Sequence, residues 1–131
     1  MNRPAAMEPA PSRNVFGEPL IVCGTDPMTG WYRTGTCHTC EADGGSHTVC
    51  AVMTAEFLAF SKARGNDLST PRPEYGFQGL QPGDYWCLCA ARWREAHARG
   101  AAPKVRLQAT HERALEVCAL ADLKAYAIDL S

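Results

Sequence analysis

The architecture is set largely by two short apolar runs that carry cysteines. Residues 46–53 (SHTVCAVM) are rich in β-favouring side chains, and residues 85–90 (YWCLCA) alternate between two faces. Thr54 and Thr110 each offer a helix-capping hydroxyl to the segment that follows, and the region after Arg92 also favours a helix. The sequence therefore predicts an α+β fold, with a small mixed or antiparallel sheet of short strands and three to four helices.

The intervening segments are less regular. Short strands are predicted at 19–23, at 31–33 and around Val105, and a break in the C-terminal helices is predicted near Cys118. Residues 66–83 are rich in proline and glycine and predict a long irregular loop. Loops of this length inside compact domains are often functional.

Length and charge limit the domain organisation and the partners. A chain of 131 residues has room for one hydrophobic core, so residues 14–131 are predicted to form a single domain behind a disordered Pro/Ala tail at 1–13. The tail lacks the apolar run of a signal peptide and no segment is apolar enough to span a membrane, so we expect a cytoplasmic protein. A net charge of -1 argues against nucleic acid as a partner. The oligomeric state stays open.

Seven cysteines are many for a chain of this length, and an odd number cannot close completely into intramolecular disulfides. In a reducing cytosol such cysteines are expected to be buried thiols, metal ligands or reactive groups. A disulfide framework is the least favoured of these interpretations.

One candidate site is a zinc site formed by Cys37, Cys40, His47 and Cys50, which lie within fourteen residues. Zinc prefers thiolate and imidazole ligands, and ligands two residues apart can be presented by one backbone turn. The alternative is that Cys50 is a buried structural thiol. His47 and Cys50 are three residues apart on a predicted strand, so they point to opposite faces and cannot easily share one ion.

A second candidate is a thiol site that involves Cys50, Cys87 or Cys89. Cys87 and Cys89 share one face of a predicted strand, and they could join Cys50 or His47 if the two central strands pair. Such thiols suit a redox couple or a nucleophile, provided that one is accessible and has a lowered pKa. The alternative is that they fill the core.

The remaining candidates are polar. Asn66, Asp67 and Thr70 either contact a small ligand or satisfy one another within the loop. Arg92 and His111, which lies at a predicted helix start, either bind a carboxylate or phosphate, or Arg92 pairs with Asp84 or Glu112 for purely structural reasons.

Three segments carry a resemblance to a known family: GSHTVCAVMTAEFLAFSKARGNDLSTPRPEYGF, GLQPGDYWCLCAARW and ATHERALEVCALADLKAYA. Together they resemble the bacterial and plant family called domain of unknown function 2237 (DUF2237), and the likeness covers about residues 14–127. The resemblance implies a compact α+β domain but no reaction, substrate or cofactor. Cys40 departs from the family pattern, so a zinc site that includes it is not implied for the family.

The sequence favours a binding module for a small ligand or a metal, with zinc as the candidate cofactor. One alternative is an enzyme with a cysteine nucleophile or a thiol redox couple. The other is a structural or interaction domain with Trp31, Trp86 and Trp93 partly exposed. The expected ligand-binding residues are His47, Asn66, Asp67, Thr70, Trp86, Arg92 and His111.

Overall fold

A three-stranded antiparallel sheet forms the centre of the fold in a computed structural model that describes residues 11–130. The strands are β1 (His47–Val52), β2 (Tyr85–Cys89) and β3 (Lys104–Val105), in the order β2–β1–β3. The two strands predicted from the apolar runs are therefore confirmed. Because β1 is central, it is covered by a partner on each edge.

Three α-helices occur within the described range: α1 (Ala55–Ala63), α2 (Ala90–Ala98) and α3 (Leu120–Ala125). The Thr54 hydroxyl accepts a hydrogen bond from the Phe57 amide at 3.0 Å, so the predicted cap of α1 is confirmed. Short 3₁₀ segments lie at Pro73–Tyr75, Leu107–Ala109 and Glu112–Glu116. The chain is thus a small single α+β domain, as the sequence predicts.

Alternation along β1 and β2 sorts their buried side chains onto two faces. Val49, Trp86 and Leu88 belong to the larger apolar cluster, and α2 packs against both strands and against α1. Cys50 and Cys87 belong to a second, smaller cluster that is dominated by cysteine. The sheet therefore has one apolar face and one cysteine-bearing face.

Two of the predicted short strands are wrong. Within residues 19–23, only Pro19 forms a bridge, to Arg13, and Ile21 and Val22 are exposed. Because Cys23 is bonded to the central strand, this segment meets the sheet through a side chain rather than through a hydrogen-bonded ladder. Residues 31–33 form a turn instead of a strand, as the positive φ of Arg33 requires.

The start of the C-terminal helical region also differs from the prediction. The Thr110 hydroxyl accepts a hydrogen bond from the Cys50 amide and donates one to the Arg106 carbonyl, so it is not available as a cap. His111 takes that role, because its Nδ1 accepts from the Arg113 amide at 3.0 Å. The predicted break near Cys118 is confirmed, since the chain turns there before α3.

The N-terminal tail is only partly within the described residues. Residues 1–10 of the predicted tail lie outside them, whereas the Ser12 hydroxyl lies 2.8 Å from Nδ1 of His38. Across residues 11–130, none of the helices has the length and apolar character needed to cross a bilayer.

The cysteines depart most from expectation. Cys23 is disulfide-bonded to Cys50 and Cys37 to Cys87, although a disulfide framework is the least favoured interpretation of the sequence. The odd count fits this pairing, because Cys40, Cys89 and Cys118 remain free thiols. The sequence argument relies on a reducing compartment and cannot anticipate that four distant cysteines meet in space.

Candidate functional site

A cavity of about 460 Å³ opens beside β1 and β2. Its walls come from the turn at 30–33, the start of β1, the beginning of the long loop, β2 and the first turn of α2. The lining residues are Gly30, Trp31, Arg33, His47, Asn66, Leu68, Trp86, Cys87, Leu88, Cys89 and Arg92. A second cavity of about 360 Å³ shares Arg33 and Trp86 with it.

His47 is held by a buried carboxylate. Nδ1 of His47 lies 2.7 Å from Oδ1 of Asp43, whose side chain is fully buried. The second oxygen of Asp43 accepts from the His47 amide and from the Thr39 hydroxyl, both at 2.9 Å. Burial alone would raise the pKa of Asp43, but the hydrogen bonds from His47 and Thr39 outweigh it and lower that pKa. A carboxylate on Nδ1 leaves Nε2 as the nitrogen that can act on a ligand.

Two neighbours fix the orientation of the His47 ring. The ring stacks on Trp31 with 6.1 Å between centroids and 19° between planes. The ring also lies close to Gly45, so that a Cβ atom at position 45 would be only 2.9 Å from Cε1 of His47. Glycine at position 45 therefore makes room for the imidazole, and the ring is preorganised before any ligand arrives.

A free thiol stands across the strand pair from this histidine. His47 is the register partner of Cys89, and both residues line the cavity. A bulge between His47 and Val49 interrupts the regular pairing at this point, so the two side chains meet at an irregular end of the strand pair. Cys89 is half-buried, forms no disulfide and belongs to the cavity lining. The arrangement combines a thiol, an imidazole and a carboxylate.

Two arginines give the cavity positive charge. Nη1 of Arg33 donates to the Gly30 carbonyl at 2.9 Å, and its guanidinium lies 5.3 Å from the centroid of the Trp86 ring. Nη1 of Arg92 donates to the Arg64 carbonyl and approaches Glu95 at 3.4 Å. Because a guanidinium carries five N–H donors, each arginine keeps several for a ligand.

The polar loop contributes less than the sequence suggests. Asp67 accepts hydrogen bonds from the amide and hydroxyl of Ser69 and of Thr70, so it shapes its own turn. The hydrogen bond from the Thr70 hydroxyl is the main reason why the pKa of Asp67 falls to about 2. Asn66 differs, because it lines the cavity and its side-chain amide has no partner among the described residues.

The cavity brings together four of the seven sequence-predicted ligand-binding residues, namely His47, Asn66, Trp86 and Arg92. Asp67 and Thr70 hydrogen-bond to each other within the loop. His111 caps the 3₁₀ segment Glu112–Glu116, away from the cavity lining. Sequence reasoning missed Trp31, Arg33 and Asp43. An acidic residue four positions before His47, across a Gly-Gly turn, is the one signal that pointed to Asp43.

The four predicted zinc ligands are not brought together as a set. Cys37 and Cys50 belong to different disulfides, and His47 is paired with Asp43 in the cavity. Cys40 is a free thiol, whose pKa is lowered by a hydrogen bond from Tyr32. Among residues 11–130, the three potential ligand atoms that lie mutually within 4.8 Å are the sulfurs of Cys23, Cys37 and Cys87.

The tryptophans do not form an exposed anchor set. Trp93 is fully buried and its indole N–H donates to the Pro103 carbonyl at 3.1 Å, while Trp86 is also buried. Trp31 is exposed, but it stacks on His47 at the cavity wall. The prediction of partly exposed tryptophans is therefore wrong for Trp86 and Trp93.

Comparison with known families decides what the chain is related to. A family model described as "uncharacterized protein conserved in bacteria (DUF2237)" matches residues 13–127. The chain belongs to this family. The match spans the cavity, the sheet and both disulfides, so the resemblance that the sequence carries is confirmed. A comparison with curated proteins finds no match. Membership in DUF2237 assigns no reaction, so the function has to be argued from the site.

Proposed function

We propose that this DUF2237 protein binds a small molecule with a carboxylate or phosphate group in the cavity beside β1 and β2. The observation that carries the proposal is the charge of the lining. Arg33, Arg92 and His47 are basic and line the cavity, whereas the carboxylates paired with Arg92 and His47, those of Glu95 and Asp43, lie outside the lining of the described residues. Guanidinium groups bind carboxylates and phosphates through paired hydrogen bonds. The attraction is local, since the whole chain has a net charge of -1.

The size and remaining chemistry of the cavity fit this class of ligand. A volume of about 460 Å³ lies within the range of small-molecule pockets. Trp31, Leu68 and Leu88 supply apolar surface, and the unpartnered Asn66 amide supplies both a donor and an acceptor. The ligand is therefore expected to join one anionic group to a compact organic body.

A thermal-shift screen of small carboxylates and phosphorylated metabolites, followed by calorimetric titration of the compounds that raise the melting temperature, tests the proposal. Arg92→Gln and Arg33→Gln should each weaken binding by about tenfold or more, because a hydrogen bond to a charged group is lost. Arg99→Gln is the matched control, since Arg99 is exposed at the end of α2 and outside the lining. A screen without shifts, or variants that bind as the wild type does, would remove the proposal.

A second candidate function is that of an enzyme with Cys89 as nucleophile. The observation that favours it is the pairing of Cys89 with His47, whose Nδ1 is held by the buried Asp43 carboxylate. In such an arrangement Nε2 takes the proton of the thiol, and the carboxylate stabilises the imidazolium that forms. The anionic group on the ligand would then orient an electrophilic carbon toward the sulfur.

Alkylation by iodoacetamide near neutral pH, followed residue by residue by mass spectrometry, tests this candidate. Cys89 should react faster than Cys118, because burial raises the pKa of Cys118 to about 11. His47→Asn should slow the reaction of Cys89 by about tenfold and leave that of Cys40 unchanged. If Cys89 reacts as slowly as Cys118, or ignores the change at His47, the nucleophile candidate is wrong.

The proposal includes the cytoplasmic location that the sequence predicts. Alkylation of intact cells with a membrane-permeant reagent before lysis checks the location, since cytosolic proteins keep their thiols reduced. A protein with two intact disulfides in such an experiment would speak against the cytoplasm.

A further inference from the structure

Four cysteines from four separate segments converge on one face of the sheet. Cys50 lies on β1 and Cys87 is its register partner on β2, while Cys23 and Cys37 reach them from the segments before β1. All four are buried, with at most 2% of their surface exposed. The two strand positions bond not to each other but each to one of the two loop cysteines.

The arrangement of the sulfurs is more compact than two independent disulfides require. The sulfurs of Cys23, Cys37 and Cys87 lie mutually within 4.8 Å, and the sulfur of Cys50 is bonded to that of Cys23. A tetrahedral zinc site with Zn–S distances of about 2.3 Å has its sulfurs about 3.8 Å apart. Three of the four sulfurs are therefore already grouped closely enough for one ion, and the fourth ligand position, Cys50, is the register partner of Cys87 on the neighbouring strand.

The surroundings also suit a charged four-thiolate site. Zinc with four thiolates carries two negative charges, which a buried site must offset. The Arg106 guanidinium contacts the Cys23 carbonyl at 3.4 Å, and the Arg106 amide donates to the Cys50 carbonyl at 2.9 Å. The same guanidinium lies 4.2 Å from the ring centroid of Tyr85, which packs against the cysteine cluster. A positive charge thus lies next to the backbone and the aromatic ring that border the cysteine cluster.

We propose that Cys23, Cys37, Cys50 and Cys87 bind one zinc ion when their two disulfides are reduced. Two equivalents of a protein dithiol transfer four electrons and four protons to the two disulfides, which become four thiols, and each dithiol is left as a disulfide. Binding of Zn²⁺ then releases four protons and forms four Zn–S bonds. The residues alternate between two disulfides and one metal site, and this zinc site differs from the set predicted from the sequence.

Zinc is the ion proposed because it takes four thiolates in a tetrahedron and undergoes no redox change of its own. A buried tetrahedron of four protein thiolates leaves no open position for water or substrate, which is the pattern of structural rather than catalytic zinc. The role of the ion would be to hold the segments that carry Cys23 and Cys37 against the sheet under reducing conditions. It does not depend on the ligand proposed for the cavity.

The test starts from the oxidised full-length chain. The protein is reduced anaerobically with a phosphine, supplied with equimolar Zn²⁺, desalted and measured by elemental mass spectrometry. The thiol count in denaturant should rise from three to seven on reduction. One zinc per chain is expected in the reduced form and none in the oxidised form. Replacement of Zn²⁺ by Co²⁺ should give the visible spectrum of a tetrahedral ion with four thiolates.

Variants decide which residues hold the ion. Cys50→Ser and Cys87→Ser should weaken zinc binding by roughly a hundredfold or more and change the Co²⁺ spectrum. Each keeps one disulfide in its oxidised form, so circular dichroism of that form checks that it folds. Cys40→Ser and His47→Asn are the controls and should bind zinc as the wild type does. The proposal is overturned if the reduced wild type binds no zinc, if the Co²⁺ spectrum survives both serine changes, or if the controls lose the ion.

Discussion

Removal of the Cys37–Cys87 disulfide should lower the free energy of unfolding of the oxidised protein by about 3 to 4 kcal/mol. The bond closes a chain segment with a sequence separation of 50 residues. Loss of the corresponding restriction on the unfolded chain amounts to about 4 kcal/mol at 25 °C. The lower figure allows for residues 37–50, which also lie within the loop closed by Cys23–Cys50. The double variant Cys37→Ala, Cys87→Ala removes the bond without leaving a lone thiol.

Urea unfolding at equilibrium, with a chelator present to exclude zinc, measures this difference. Cys40→Ala is the control, because Cys40 is a free and partly exposed thiol whose loss should change the free energy by less than about 1 kcal/mol. Because reduction breaks both disulfides, the reduced wild type is compared with the reduced double variant, and the difference between them is the effect of the two buried sulfur atoms alone. An oxidised double variant within about 1 kcal/mol of the oxidised wild type would refute the reasoning, because the cross-link would then restrict nothing in the unfolded chain.

Three further predictions concern single residues. Gly45→Ala should weaken binding of the anion found in the screen by about tenfold or more, because the added Cβ would lie 2.9 Å from the His47 ring and displace it. Gly44→Ala is the control: a Cβ at that position would have no atom within 4 Å, so calorimetry should show normal binding. Burial lowers the pKa of His111 below its ordinary 6.5, so the stability linked to it is present above that pH and falls as the pH drops toward the folded-state value. His111→Asn keeps a capping group and should make the urea midpoint of unfolding fall less steeply as the pH drops below about 6.5. An unchanged pH dependence of the midpoint would contradict this. A hydrogen bond from the Thr70 hydroxyl lowers the pKa of Asp67 from 3.8 to about 2, so the stability that this carboxylate adds is complete above pH 3.8 and is lost as the pH falls toward 2. Asp67→Asn should therefore remove this part of the loss of stability in acid, measured by urea unfolding at a series of pH values. An unchanged loss in the variant would disprove the prediction.

Local patterns in the sequence predicted the elements that depend on near neighbours. The alternation in residues 85–90 gave β2, and the Thr54 hydroxyl gave the start of α1. Alternation along β1 likewise predicted that His47 and Cys50 point to opposite faces. The two residues do lie apart, His47 in the cavity and Cys50 in the cysteine cluster. These features follow from one backbone period or one cap, so a single sequence contains them.

The site needed information that no local pattern holds. The disulfides join residues 27 and 50 positions apart, and their pairing depends on how the segments before β1 lie on the sheet. Trp31 and Arg33 were assigned to a strand, whereas a turn with positive φ at Arg33 aims them at the cavity. Asp67 appeared equivalent to Asn66 in sequence, and only its hydrogen bonds to the loop distinguish the two.

The cysteine cluster and the cavity are joined through one short segment. The state of the cysteines should therefore affect how tightly the cavity binds its anion, although either proposal can be correct without the other. Trp31 and Arg33 form a cavity wall between Thr29, whose hydroxyl accepts from the Cys87 amide at 2.8 Å, and Cys37, which is bonded to Cys87. The wall is therefore tied at both ends to β2 in the oxidised protein. A zinc ion would keep the second tie, because Cys37 and Cys87 would share it, whereas reduction in the presence of a chelator would leave only the Thr29 bond. We expect the affinity for the anion to be similar in the oxidised and zinc-loaded forms and several-fold weaker in the reduced, metal-free form, since ordering a loose wall is paid from binding energy. Calorimetric titration of the three forms measures this order, and equal affinities would mean that the Thr29 bond alone fixes the wall.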